Sequence, residues 1–330
     1  MRSLGLLAFV MPFSIAASCT GNGMGGWRPK PRVETAPIDG TTASTELIRT
    51  AMKLYSAGDY EGASRFAGEA RKTLEQTRGR DHPELVLCLD LLAKIHRARR
   101  RYDEAQQLYE EALRTGEKLL GSEHPMVIHL LNTMAEFAFT RGKYAESERL
   151  YRMVLALYEK TLGPENPAVA RTLASLAVVY GEQGDIARER SLFERALAIE
   201  QKAFGTDDPR TTYTLSNLAK TYRSLGDEQK AESLYRRVLT IREKAFGPDH
   251  PLVADAVDQL AILCFRRCDY EGAERLYKRA LAIREKARGN EHPSVAISLM
   301  NLAVLYRTMG RTTEANELEK QAATIRASSK

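Results

Sequence analysis

Gly205-Thr206-Asp207-Asp208-Pro209 is one copy of a connector that decides how this chain folds. The other copies are Gly79-Arg80-Asp81-His82-Pro83, Gly121-Ser122-Glu123-His124-Pro125, Gly163-Pro164-Glu165-Asn166-Pro167, Gly247-Pro248-Asp249-His250-Pro251 and Gly289-Asn290-Glu291-His292-Pro293. They recur every 42 residues, with no insertion or deletion. A period of this size marks a solenoid or array of repeated units.

Each connector has a mechanical reading. Glycine suits the position just past a helix end, where a left-handed backbone is commonly required. Proline suits the first turn of the next helix, which needs no N–H there. The residue between them is His, Asn or Asp. Asn and Asp are strong N-caps, and a histidine ring nitrogen can accept more weakly. Each unit is therefore expected to run helix, stop, short loop, helix.

Working outward, the 42-residue units align in columns. One holds Ala51, Ala93, Ala135, Ala177, Ala219, Ala261 and Ala303. A small side chain there lets two helices of a hairpin approach closely. The column before it holds mostly Leu (Leu92, Leu176, Leu218, Leu260, Leu302), and another Leu column lies three residues earlier. Offsets of three and four make one apolar helical stripe. After a turn glycine (Gly58, Gly142, Gly184, Gly226, Gly310), a second helix carries Leu108-Tyr109, Leu150-Tyr151, Leu192-Phe193, Leu234-Tyr235 and Leu276-Tyr277. Such a hairpin buries its face only against its neighbours.

These residues resemble a tetratricopeptide repeat. The 42-residue form, L-x-x-L-A-x-x-Y and then A-E-x-L-Y-x-R-A-L-x-I-R-E-K-x-x-G-x-x-H-P, resembles the repeat region of kinesin light chains, most fully over residues 257–293. The resemblance implies an all-α, right-handed α-solenoid of about seven helix-turn-helix repeats, near 44–79, 83–121, 125–163, 167–205, 209–247, 251–289 and 293–327. Kinesin light chains also carry a heptad coiled coil ahead of their repeats. No such run stands here, so a motor-adaptor role is not implied.

Charged residues make up 28% of the 330 and hydrophobic ones 43%, ordinary for a soluble chain. The net charge of +6 comes with acidic and basic residues interleaved, which fits solvated helix faces better than a nucleic-acid surface. Four cysteines are too few and too scattered for a disulfide framework.

At the N-terminus, Arg2 precedes an apolar run from Leu4 to Ala17, the length of a signal-peptide core and too short to span a bilayer. It ends Ile15-Ala16-Ala17-Ser18-Cys19, which resembles a bacterial lipobox with Ala16 where Leu is usual. That implies a leader over 1–18, acylation of Cys19, and a lipoprotein of the bacterial envelope, periplasmic or outer-membrane. Ordinary secretory cleavage is the alternative. Residues 19–43 are rich in Gly and Pro and read as a flexible tether.

The first and last units depart from the columns. Ala67 and Arg71 replace the aromatic and the later Leu in one, and Glu319 and Ala323 replace them in the other. Polar ends are what a solenoid needs. Glu189 stands in a column that holds Ala105, Ala231 and Ala273. Either the fourth hairpin is looser or Glu189 pairs with a neighbouring Arg.

No nucleophile motif or phosphate-binding loop occurs. His82, His124, His250 and His292 read as caps, and His96 as a satisfied core histidine. Cys264 and Cys268 fall in packing columns and lack a second Cys/His pair. Neither an enzyme nor a cofactor or metal is expected.

In tetratricopeptide arrays the first helices line a concave groove. By that resemblance Asn132, Ser175, Asn217, Gln259 and Asn301 face a ligand, with Lys94, Arg97, Lys220, Arg223, Arg266 and Arg307 one turn on. His129, Arg171 and Tyr213 complete the face, and Asp90, Glu136, Asp255 and Asp258 interrupt it. An Asn amide both donates and accepts, so it can hold a peptide backbone without demanding one sequence. The expected function is a non-enzymatic, lipid-anchored scaffold for a protein or peptide ligand with acidic residues. The alternative is an assembly factor self-associating through convex faces or array ends.

Overall fold

The computed structural model describes residues 43–79 and 81–328. The leader, Cys19 and the tether before Ala43 lie outside them. Among the described residues are fourteen α-helices in consecutive helix-turn-helix pairs, and no strand. The pairs are α1 (Ala43–Ser56) with α2 (Tyr60–Arg78), α3 (Pro83–Ala98) with α4 (Tyr102–Leu120), and α5 (Pro125–Thr140) with α6 (Tyr144–Leu162). Next come α7 (Pro167–Glu182) with α8 (Ile186–Phe204) and α9 (Thr212–Ser224) with α10 (Glu228–Phe246). The last are α11 (Pro251–Arg266) with α12 (Tyr270–Arg288) and α13 (Pro293–Thr308) with α14 (Thr312–Ser328). The chain forms two compact units, one ending at Lys143 and one beginning at Tyr144.

The connectors work as capping devices. Nδ1 of His82, His124, His250 and His292 each accepts from the backbone N–H two residues on, at 3.1–3.2 Å. Asn166 and Asp208 do the same through side-chain oxygens at 2.9 Å. Each bond satisfies one of the orphan donors of a helix start. The connector glycines differ from the expected left-handed helical geometry. Gly205 has φ 93° and ψ 160°, and Gly121, Gly247 and Gly289 are close to it. Positive φ with extended ψ is a region essentially reserved for glycine, a stricter demand than a left-handed cap.

In the first unit, Ala51, Ala63, Ala67, Leu74, Cys88 and Ile95 form a buried cluster between α1, α2 and α3. A second cluster, with Leu85, Leu89, Ala93, Ala105 and Tyr109, joins α3, α4 and α5. In the second unit the same columns recur: Leu173, Ala177 and Phe193 pack with Leu218, and Ala261, Ala273 and Tyr277 with Leu302 and Ala303. Each buried large side chain contributes roughly 1.5–3 kcal/mol. One hairpin's aromatic thus fills space against the next hairpin's first helix. The polar first end is visible too: Arg71 pairs with Glu75 at 2.9 Å and Glu111 at 2.7 Å.

Several expectations need correction. His96 is half-buried but not satisfied: its Nδ1 has no hydrogen-bond partner, and burial lowers its basicity. Its column mates Tyr180, Tyr222 and Tyr306 donate to Glu148, Glu194 and Glu274, a reach the shorter ring lacks. Cys268 is exposed, so packing does not explain it. It takes φ 60° in the turn where other hairpins use glycine, as Arg100 does at 59°. Glu189 pairs with no Arg. It is buried, accepts from the Thr221 hydroxyl at 3.0 Å, and fills space left by a glycine: a Cβ on Gly181 would meet its Cδ at 2.9 Å. Finally, α9 starts three residues late, because Pro209–Thr211 forms a 3-10 turn.

Candidate ligand-binding faces

In the first unit, α3 and α5 are consecutive first helices, and their outward residues converge. Lys94, Arg97, His129 and Asn132 line one cleft of about 300 Å³ with Tyr55, Thr133 and Glu136. Its floor is organised by Asp90, buried one turn before Lys94. Lys94 Nζ reaches Asp90 Oδ2 at 2.6 Å, and His129 Nε2 lies 3.7 Å from the same oxygen. Lys94 Nζ and His129 Nε2 are 3.2 Å apart. Burial alone would raise the Asp90 carboxyl, but His129 and Lys94 outweigh it and hold it below the usual carboxylate range. Asp90 Oδ1 is buried and has no hydrogen-bond partner, and neither has the Tyr109 hydroxyl. The cleft thus carries Lys94, Arg97 and His129 beside a single lining acid, Glu136.

Asn132 donates to Glu136 at 3.3 Å. It stands one position ahead of the column that holds Ser175, Asn217, Gln259 and Asn301. Thr133 is the true column mate and is buried. Asn132 reaches the cleft from the neighbouring position.

In the second unit, Ser175, Asn217, Gln259 and Asn301 occupy one half-buried position on α7, α9, α11 and α13. Asn217 Nδ2 donates to its own helix at Tyr213 O, 3.0 Å away, and Gln259 Oε1 accepts from Arg223 at 2.9 Å. Arg171, Tyr213 and Lys220 are exposed. Arg266 and Arg307 are engaged internally: Arg266 Nε donates to Glu228 on α10 at 3.0 Å, and Arg307 reaches Glu319 at 2.8 Å and Asn316 at 2.9 Å on α14. Of the residues taken to interrupt this face, Asp258 is buried in a pair with Arg284 at 2.6 Å, which also holds Asp255 at 2.8 Å. Sequence reading missed Tyr55, which enters the cleft from α1. It also missed Ile297 and Val304, exposed one turn either side of Asn301. The column alignment carries all three in outward positions and was the available signal.

The described residues contain no cluster of three or more His, Cys, Asp or Glu side chains placed to hold a metal. No helix among them is long and apolar enough to cross a membrane.

Sequence models of the tetratricopeptide repeat match residues 51–84 and 85–125, and overlapping segments that together run over 126–328. The chain belongs to the tetratricopeptide repeat family. Among solved structures it is similar to nearly identical TPR-like repeats of kinesin light chain type from Podosopora anserina, at 28% identity and TM-score 0.54, over 63% of this chain and 99% of that one. It also resembles PilF of Pseudomonas aeruginosa, at 17% identity and TM-score 0.51, over 75% and 93%. A third likeness is to a signal transduction ATPase with a tetratricopeptide repeat sensor from Pyrococcus horikoshii, at 14% identity and TM-score 0.67, over 85% and 42%. The last two show the fold alone. No curated protein matches the chain. Tetratricopeptide arrays are generally non-enzymatic scaffolds that bind protein partners, and this fold offers the same kind of surface.

Proposed function

We propose that this protein is a non-enzymatic, lipid-anchored envelope scaffold whose outward first-helix faces hold a peptide segment bearing Asp or Glu. The observation that carries the reading is the α3–α5 cleft, where Lys94, Arg97 and His129 converge beside Asn132 around about 300 Å³ of open space. A ligand carboxylate there would compete with Asp90 for Lys94. Asn301, whose amide bonds to no protein group in the structure, is the second support. It leaves both its donor and acceptor for a ligand backbone.

The test uses an array of twelve-residue peptides, acidic ones against the same sequences with Asn and Gln for Asp and Glu. Acidic peptides are expected to bind the protein, and Lys94→Ala with Arg97→Ala to abolish the preference. Equal retention of both peptide sets sinks the acidic reading. If concentration-dependent self-association appears instead, the assembly alternative replaces it. The anchor has its own test, motivated by Ile15 to Cys19. The parent protein is expected to partition into detergent and Cys19→Ala to remain in the aqueous phase, since each buried acyl methylene contributes roughly 0.8 kcal/mol. Equal partitioning removes the lipid claim.

A further inference from the structure

The α8–α9 junction carries hydroxyls in two columns that are apolar in the neighbouring repeats of the second unit. Thr211 stands in the column of Val169, Val253 and Val295, and Thr221 in that of Val179, Leu263 and Leu305. Thr211, Thr212, Thr214 and Thr221 are all buried. Two carboxylates of α8 face this strip from opposite ends of the helix. Glu189 accepts from the Thr221 hydroxyl at 3.0 Å in the space Gly181 leaves open. Near the other end, Glu200 faces Thr214. Glu200 Oε2 and Thr214 Oγ1 are buried, and neither has a hydrogen-bond partner.

The charges around the two carboxyls are few. Glu189 is faced by Lys220 of α9, which favours ionisation, and by Glu182 of α7, which opposes it. Glu200 is faced by the Thr214 hydroxyl, with no cation among the groups acting on it. The nearby Arg210 is bound to Asp208 through two bonds of 2.8 Å and lies over the Phe204 ring. We propose that the α8–α9 junction is a pH-sensitive joint, closed while Glu189 and Glu200 are protonated and loosened when they ionise. Two anions on one face of α8 would then need water that the closed junction excludes.

Burial pushes Glu200 up to about 7 and raises Glu189 as well. A folded value above the unfolded one of about 4.3 means the closed form binds the proton more tightly. The stabilisation is complete below about pH 4.3 and is lost as pH rises through the folded value. For Glu200 alone, the opening constant should rise about tenfold from pH 6 to pH 8.

The experiment is hydrogen exchange on the full protein at pH 6 and pH 8, with times scaled for the intrinsic chemical rate. Amides of residues 209–224 are expected to open about tenfold more at pH 8, while those of α14 stay constant. Glu189→Gln with Glu200→Gln should remove the difference. Thr214→Val, which keeps both acids but replaces the hydroxyl facing Glu200 by a methyl group, should shift the onset of loosening to higher pH. Equal protection at both pH values in the parent protein overturns the proposal. So does a pH dependence that survives the double Gln change, or is spread equally over α14. Should the Gln variant not fold, the parent profile and the Thr214→Val shift decide it.

Discussion

Asp90 in α3 and Asp258 in α11 stand in the same column of the repeat, and each is buried to the same extent. Their chemistry runs in opposite directions. Asp90 is served by Lys94 and His129, and despite burial its carboxyl is held below the usual range. Asp258 shares one guanidinium, Arg284, with a second carboxylate, Asp255, and burial takes it up to about 6. Identity and burial are equal, so the difference lies in the partners: Lys94 and His129 both reach Asp90, whereas Asp258 shares Arg284 with Asp255. The first arrangement has spare positive charge at an open cleft and can accept a ligand anion. The second is an internal structural pair, Asp258 with Arg284, both almost fully buried.

The largest expected effect tests the internal pair. Arg284→Met strands the buried Asp258, frees the exposed Asp255 and also loses a bond to the Ser298 hydroxyl. Removing one partner of a buried pair costs roughly 3–5 kcal/mol. Urea unfolding at pH 8 should show a loss of that order. At pH 5, below the Asp258 value of about 6, the carboxyl takes a proton and the loss should shrink. Equal losses at both pH values would mean that the pair is not what holds α11 to α12.

The repeat itself was legible because its devices are local and recur. A glycine at positive φ, a cap residue and a proline each act within one turn, and six copies repeat the message. The caps could be read down to the histidine ring nitrogen. Less legible was anything set by a neighbour in space. Glu189 looked like a misfit because Gly181, which makes room for it, lies in another column of another helix. His96 looked satisfied because the column was read by burial, without the reach of the side chain it replaced. In the candidate faces, outward positions followed from the resemblance to tetratricopeptide arrays together with helical period, and the structure brings Lys94, Arg97 and His129 to one cleft. Period alone did not show that Arg266 and Arg307 are drawn off to Glu228 and Glu319, since those partners come from the second helices.

A subtler effect contrasts the two aspartates directly. Asp90→Asn and Asp258→Asn are near-isosteric, and each is expected to shift stability by about 1–3 kcal/mol, the range for a hydrogen bond to a charged group or a stranded one. Their pH profiles should differ in sign. Asp90 has a depressed folded value, so its contribution is full above the unfolded value of about 3.9 and fades as pH falls through the folded one. The penalty of Asp90→Asn should therefore persist at pH 5 and vanish in stronger acid. Asp258 has a raised value, so its contribution fades as pH rises through about 6. Asp258→Asn should accordingly cost most near pH 4 and least at pH 8. Parallel profiles for the two would refute the partner-based explanation.

The smallest effects separate the cleft from the amide positions of the second unit. Long-range attraction speeds encounter and is screened by salt, with a Debye length of about 8 Å at physiological ionic strength. Lys94→Ala with Arg97→Ala should thus chiefly lower the association rate of an acidic peptide and flatten its salt dependence. Asn301→Ala acts only after contact, removing a hydrogen bond worth roughly 0.5–1.5 kcal/mol, so it should raise the dissociation rate by a factor of a few to about ten. Asn217→Ala should do less, because its Nδ2 is already given to Tyr213 O. Surface-immobilised kinetics at two salt concentrations read both rates. If Asn217→Ala weakens binding more than Asn301→Ala, the free amide is not the ligand's hold. If neither rate moves in any variant, these faces are not where the peptide sits.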